Sequence, residues 1–242
     1  MPGRPRAMWL WDESARRAEV AAFALDQRVG AVFLTVPWNG STAATRSLSR
    51  ALRGRGVRVA CLGSGADWTD VPENAAVWAR RALAHGDFDG AHLDVEPWTA
   101  SDWPARAEQQ LRGLARAVEA VRSATALTVE VDLAAGAVAD FPELFAPVMR
   151  AASSVTLMAY RDRAPAILEL SEAARRVAAS VGRRYRIGVD TGPSVDAHTT
   201  FADDGRRALE RETAAVADTL RRDPLFAGIA VHDFTGWRRL GP

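Results

Sequence analysis

Lysine is absent from the 242 residues, so all 31 basic side chains are arginine and Schiff-base catalysis by a lysine is closed to this chain. Cysteine is nearly absent. Cys61 stands alone inside an apolar run, which excludes an intramolecular disulfide and a cysteine-built zinc site and predicts a core position. A strong charge of either sign is missing as well: 31 basic residues face 30 acidic ones, for a formal net charge of +1. That balance gives no reason to expect nucleic acid or a membrane surface as a partner. No apolar run reaches the length of a membrane span. Residues 1–6 lack the apolar stretch of a secretory signal, and the expectation is a cytoplasmic protein. With no linker, low-complexity segment or short repeat, residues 1–242 read as a single domain.

What is present is ordinary in amount and regular in order. Hydrophobic residues make up 48% and charged residues 25%, enough apolar material for one large core. Short apolar runs near residues 7–11, 31–36, 57–62, 88–96, 127–132, 155–160, 186–189 and 228–231 predict strands. Between them, residues 14–27, 42–53, 72–85, 104–122, 142–151, 165–180 and 206–221 predict helices, with Ser14 and Ser41 or Thr42 as caps and Pro72 opening its helix. Eight strands alternating with seven helices imply parallel pairing through right-handed crossovers. The expected fold class is therefore α/β, a (β/α)8 TIM barrel with a reduced or missing eighth helix. A doubly wound open sheet is the alternative, but no Gly-rich phosphate loop follows the first strand. The polar stretch 191–205 is the one long irregular loop, with the length of a lid.

The chemistry concentrates in residues 88–98. His92, Asp94 and Glu96 alternate with Ala91, Leu93 and Val95, so a strand's two-residue period puts three ionisable groups on one face. Burying such a row costs several kcal/mol unless the groups are paired or at work. Pro97 then ends the strand and leaves Glu96 at its mouth. Thr128, Glu130 and Asp132 repeat the pattern on the next strand.

A barrel builds its site at the C-terminal ends of its strands. Asp12, Asn39, Ser64, Asp67, Tyr160, Arg161, Asp162, Asp190, His232 and Asp233 all fall there, and Tyr160 and Asp190 share the inward parity of the acids. Like charges a few ångströms apart push at least one carboxyl group up toward neutral pH, which is how a Glu becomes a general acid. Trp38, Trp68, Trp98, Trp103 and Trp237 fall in loops behind the strands, where flat rings beside hydrogen-bonding acids suit a sugar.

Residues 89–96, Asp-Gly-Ala-His-Leu-Asp-Val-Glu, resemble the Asp-Gly-x-Asp-x-Asp-x-Glu signature of glycoside hydrolase family 18, the chitinase-like barrels. Met158-Ala159-Tyr160 is similar to that family's Met-x-Tyr, in the same chain order. The resemblance implies Glu96 as the general acid, Asp94 orienting an acetamido group that attacks the anomeric carbon, and Tyr160 bonding the acetamido oxygen. His92 departs from the pattern by standing where the middle Asp is expected, which changes how Asp94 can share a proton. Arg161 and His232-Asp233 also replace expected residues, the latter at the tryptophan of the sugar-site floor. No inserted subdomain precedes the last strand, so a deep polysaccharide cleft is not expected.

The leading expectation is a glycosidase acting on a small-molecule glycoside or soluble oligosaccharide, without cofactor. Glu96, Asp94 and Tyr160 are the expected catalytic residues. His92, Glu130, Asp132, Arg161, Asp190, His232, Trp38, Trp98 and Trp237 are expected to bind substrate. A metal-dependent barrel hydrolase or isomerase is the first alternative, since the same His, Asp and Glu residues could ligate a divalent ion, although no spacing such as His-Glu-x-x-His occurs. A silent carbohydrate-binding barrel is the second. Oligomeric state is not legible.

Overall fold

The computed structural model describes residues 5–12 and 14–241, so the part of the signal-peptide reading that rests on residues 1–4 lies outside the described residues. Eight strands, β1 (Arg6–Leu10), β2 (Val29–Thr35), β3 (Arg58–Gly63), β4 (Gly90–Leu93), β5 (Thr128–Ala134), β6 (Ser154–Met158), β7 (Arg184–Asp190) and β8 (Phe226–His232), form a closed barrel in sequence order. Every neighbouring pair is parallel, including β1 with β8. Helices α1 (Arg17–Asp26), α2 (Ala43–Arg53), α3 (Pro72–Leu83), α4 (Trp103–Ala124), α5 (Ala135–Asp140), α6 (Pro142–Ala151), α7 (Ala164–Ser180), α8 (Gly205–Thr219) and α9 (Phe234–Arg239) lie outside it. This is the TIM barrel expected from the sequence, with a six-residue α9 as the reduced eighth helix. Among the described residues no helix is long and apolar enough to cross a membrane.

Local chemistry explains most boundaries and corrects a few. Thr42 caps α2 by accepting from the Thr45 N–H at 3.1 Å, and Pro72 occupies the first turn of α3. Ser14 is not a cap: its N–H and hydroxyl both donate to Asp12 Oδ1, at 2.9 and 2.6 Å, and this turn delays α1 to Arg17. β4 stops at Leu93, earlier than expected. The Asp94 N–H still donates to the Gly63 carbonyl at 3.0 Å, and then Val95 and Glu96 leave the sheet before a short 3-10 turn at Pro97–Thr99.

The sheet faces two different interiors. Outward, Val, Leu and Ala side chains meet the helices in one continuous apolar layer. Inward, Ala7, Trp9, Ala31, Phe33, Ala60, Leu62 and Ala230 fill the side of the barrel formed by β8, β1, β2 and β3. The opposite side, from β4 to β7, is filled by His92, Glu130, Asp132, Thr156 and Arg186. Trp9 meets Phe33 edge to face at 5.3 Å, a contact worth about 0.5–1.5 kcal/mol beyond its buried area. Gly90 keeps the polar side open: a Cβ there would stand 2.8 Å from the Arg58 guanidinium and 2.7 Å from the Thr128 hydroxyl.

The short α9 leaves the flank beside β1 to aromatic packing. Phe23 of α1 meets Phe234 at 5.4 Å and Trp237 at 5.2 Å, both edge-on. Loop 191–204 is tethered: the Phe201 N–H donates to the Asp190 carbonyl at 2.9 Å, Thr200 Oγ1 to the Gly192 carbonyl at 2.6 Å, and the Asp162 N–H to the His198 carbonyl at 3.1 Å. It does not have the free span expected of a lid.

Candidate active site

The inward-pointing groups stand at two heights. At the foot, Glu130 is clamped from several strands: Arg58 Nη1 and Ser154 Oγ donate to Oε1 at 3.1 and 2.9 Å, and Arg186 Nη1 donates to Oε2 at 3.4 Å. Burial opposes its charge, but the Arg186 charge, the His92 hydrogen bond and the Arg58 charge outweigh it and hold Glu130 far below the usual carboxylate range. Glu130 is thus a structural anion below the mouth, not the substrate ligand expected from its parity.

His92 lies just above, fully buried and stacked on Phe33 with ring centroids 3.7 Å apart. Its Nδ1 is 3.5 Å from Glu130 Oε2, and its Nε2 is 2.7 Å from Asp132 Oδ1, a close ionic approach out of line for a hydrogen bond. Burial disfavours the imidazolium, but Asp132 and then Glu130 overcome it and raise the pKa to about 9. With both ring nitrogens turned to carboxylates and no exposed surface, His92 is out of reach of a substrate. That corrects its assignment as a binding residue.

Asp132 is the hub. Trp9 Nε1 donates to its Oδ2 at 2.8 Å, and the side chain is completely buried. Its charge contributes to raising Asp94, Glu96 and Tyr160 together, which places all three around it. Asp94 is raised well above the carboxylate range by burial, then by Asp132 and Glu96, and its Oδ1 is buried with no hydrogen-bond partner among the described residues. Glu96 is half-buried at the rim. Burial raises its pKa first, a hydrogen bond from Trp98 pulls back, and Asp132 pushes up again. Tyr160 donates to Met158 Sδ at 3.2 Å and is raised by burial and by the surrounding Asp132, Asp94, Asp190 and Glu96.

His232 and Asp190 face this group from β8 and β7. His232 Nδ1 lies 2.8 Å from Asp190 Oδ1, while Trp11 Nε1 donates to His232 Nε2 at 3.1 Å. An indole N–H can only donate, so Nε2 accepts and the ring proton sits on Nδ1 toward Asp190. Burial lowers the pKa of His232, but the hydrogen bond and charge of Asp190 raise it further. Arg161 turns back to donate to the Tyr160 carbonyl at 2.7 Å.

The tryptophans do not form the expected platform. Trp237 is fully buried against Phe23 beneath the Arg6 guanidinium, so it belongs to the α9 flank and not to the mouth. Trp68 and Trp103 are buried too. Trp38 is exposed, with the Arg81 guanidinium of α3 at 5.0 Å over its ring, and its contacts are with that helix instead of the acids. Of these five, Trp98 is the one that hydrogen-bonds an acid among the described residues, through its N–H, 2.9 Å from Glu96 Oε2.

Beside Glu96 a cavity of about 370 Å³ opens between the loops after β3 and β4, lined by Ser64, Gly65, Asp70, Asp102 and Arg106. Arg106 Nη2 donates to Asp70 Oδ1 at 2.8 Å. Sequence reasoning missed Arg106 and Asp70, as well as Trp9, Trp11, Arg58 and Arg186. The signal was present for Trp9, Trp11, Arg58 and Arg186: each keeps the inward parity of its own strand.

Fold and site together define a closed parallel barrel with a carboxylate cluster at its C-terminal mouth. No family model matches the chain, and no curated protein is significantly similar to it in sequence. Solved structures share the fold. A double mutant of an endo-beta-N-acetylglucosaminidase from Cordyceps militaris, in complex with fucosyl-N-acetylglucosamine-Asn, is 16% identical with a TM-score of 0.62, over 96% of this chain and 82% of that one. A class V chitinase from Pseudomonas fluorescens is 14% identical with a TM-score of 0.60, over 97% of both chains. An enolase from Bradyrhizobium, complexed with magnesium and mandelic acid, is 11% identical with a TM-score of 0.51, over 96% of this chain and 52% of that one. At these identities the likeness is one of fold.

Proposed function

We propose that this chain hydrolyses a glycosidic bond in a soluble glycoside, oligosaccharide or glycoconjugate, with Glu96 as general acid and then general base. The observation that carries the reading is Glu96 itself: a half-buried carboxyl group at the barrel mouth, its proton favoured by burial, opening onto a cavity of about 370 Å³. Glu96 protonates the leaving-group oxygen as the glycosidic bond breaks, and its carboxylate then takes a proton from the attacking water. The nucleophile in this reading is the substrate's own 2-acetamido oxygen. In this reading Asp94 orients the acetamido group, and the Tyr160 hydroxyl, which donates to Met158 Sδ in the free protein, turns to the acetamido oxygen when the substrate opens the mouth. The ligand held by the Cordyceps militaris enzyme, a fucosyl-N-acetylglucosamine-Asn, supports an amino-sugar glycoconjugate over a long polymer.

Two features support this reading over metal catalysis. Three of the carboxylates are already committed to protein cations and donors: Glu130 to Arg58 and Arg186, Asp132 to Trp9 and His92, Asp190 to His232. Among the described residues, no group of three or more His, Cys, Asp or Glu is arranged to hold an ion.

The test is turnover of aryl 2-acetamido-2-deoxy-β-glycosides by the parent chain and by Glu96→Gln. Loss of turnover with retained binding of the free sugar supports the assignment; equal rates remove Glu96 from the mechanism.

A further inference from the structure

Glu96 stands between two compartments. On one side is the acid cluster over the barrel axis, where the charges of Asp132 and His232 act on it. On the other is the cavity of about 370 Å³ between the loops after β3 and β4. Among the described residues Glu96 is the one member of the cluster that lines this cavity; Asp94, Asp132, Tyr160, Asp190 and His232 do not. A bond whose oxygen meets Glu96, with its acetamido sugar over Asp94 and Tyr160, therefore has its other half in the cavity. The volume lies at the low end of the roughly 300–1,000 Å³ of small-molecule sites, which fits one such unit and not a chain.

The far wall of the cavity is polar and fixed. Arg106 and Gln110 are an i, i+4 pair on α4 and share one face of it. Arg106 Nη2 and Gln110 Nε2 both donate to Asp70 Oδ1, at 2.8 and 3.2 Å, and Arg106 Nη1 reaches Asp102 Oδ2 at 3.5 Å. The Gln110 side chain is buried, and the Thr69 hydroxyl donates to its Oε1, which leaves Nε2 facing Asp70. Gly113, one turn further along α4, lets the loop after β3 come this close: a Cβ there would stand 1.8 Å from the Thr69 carbonyl oxygen.

Charge in this wall is one-sided. A single guanidinium faces Asp70 and Asp102, so the wall is net negative before Glu96 is counted. An anion entering the cavity has to take Arg106 from Asp70, whereas a hydroxyl or ammonium group needs only to donate to carboxylates already in place. We infer that the cavity holds the substrate's leaving group as a single neutral or cationic polyhydroxyl unit, and that Asp70, fixed by Arg106 and Gln110, is the residue that excludes an anionic one. Asp70 Oδ1 carries the two protein bonds, and Oδ2 accepts from the ligand. The role as leaving-group site rests on the glycosidase reading of Glu96; selection by charge rests on the wall alone.

The test uses the methyl β-glycosides of glucose, glucosamine and glucuronic acid, alike in ring size and different in charge. Each is titrated into the nitrogen-15-labelled parent chain at about pH 6, where a sugar amine is charged. Binding is read by NMR at the Gln110 side-chain amide and the Arg106 Nε–H. The glucoside and glucosaminide bind there, and the glucuronide binds about tenfold or more weaker. Asp70→Asn lowers the preference for glucosaminide over glucuronide about tenfold, and added salt lowers it in the parent. Asp102→Asn shifts it in the same direction and serves where Asp70→Asn unfolds the loop. Equal affinity for the three sugars, preference for the glucuronide, no binding of any of them, or shifts that bypass Gln110 and Arg106 overturn the inference. Hydrolysis of aryl glycosides by a chain whose cavity is blind to charge would keep Glu96 as the acid and remove the leaving-group site. A charge-selective cavity in a chain that hydrolyses no glycoside would do the reverse, removing the glycosidase reading and keeping the selectivity of the wall.

Discussion

Trp98 donates its indole N–H to Glu96 Oε2 at 2.9 Å, from a position only two residues further along the chain. The ring is anchored in turn against Phe145 of α6 at 5.7 Å and edge-on to Trp103 of α4 at 6.3 Å. A side chain that looked like a sugar platform is thus a fixed donor that sets the direction of the acid.

Trp98→Phe tests that relationship. The donor stabilises the ionised form, so its loss raises the Glu96 pKa further. On the glycosidase reading Glu96 works in its protonated form, so the alkaline limb of the pH–rate profile moves to higher pH. Turnover at the optimum falls about 10-fold through loss of orientation, the scale of one hydrogen bond to a charged group. An unmoved alkaline limb would show that Trp98 does not act on Glu96.

Glu130 predicts an acid-dependent stability. Its folded pKa is depressed, so it contributes stability above the ordinary carboxylate value, and that contribution is lost as pH falls below about 4.3 toward the folded value. Glu130→Gln flattens this acid dependence in urea unfolding measured between pH 7 and pH 3. Arg186→Met, which removes one partner and leaves a buried carboxylate, costs about 3–5 kcal/mol at pH 7.

His92 predicts the opposite slope. Its folded pKa is raised to about 9, so its stabilisation is complete below the ordinary histidine value and declines as pH rises toward about 9. Integrated over that interval the loss is roughly 3 kcal/mol. Denaturation at pH 6, 7.5 and 9 measures it, and His92→Gln removes the slope. A parent chain equally stable at pH 6 and pH 9 would contradict a buried imidazolium.

Trp237 separates packing from chemistry. It is fully buried on the α9 flank against Phe23, and Trp237→Ala costs about 3–5 kcal/mol with ligand affinity at the mouth unchanged at temperatures where the variant is folded. Thermal unfolding and a binding titration on the same sample check both halves.

The barrel was legible because each parallel strand is apolar on its helix side and several crossover helices carry a cap or a proline at their start. Thr42 and Pro72 mark helix starts in the sequence and do so in the structure. The inward set was legible for the same reason: a two-residue period fixes which face a side chain takes. The level of one strand against the next was not. Glu130 stands below Asp132 by its place on β5 alone, but which groups of other strands meet each of them, arginines for one and Trp9 for the other, depends on the stagger between strands, which no single strand encodes. The partners of Glu130 were hidden likewise, since Arg58 and Arg186 come from strands far apart in sequence. Trp237 was misplaced because the short α9 turns a residue close behind a strand end inward against α1.

Barrels of this kind commonly keep two separate accounts of selection, with residues at the strand starts tuned for stability and residues at the strand ends tuned for reaction. The column from Arg58 through Glu130 and His92 to Asp132 merges them. A substitution at Arg58 or Arg186 at the foot shifts Glu130 and, through it, the proton affinity of His92. Variation at Arg58, Ser154 or Arg186 is therefore felt by the charge balance of the buried column as well as by the packing of the barrel foot.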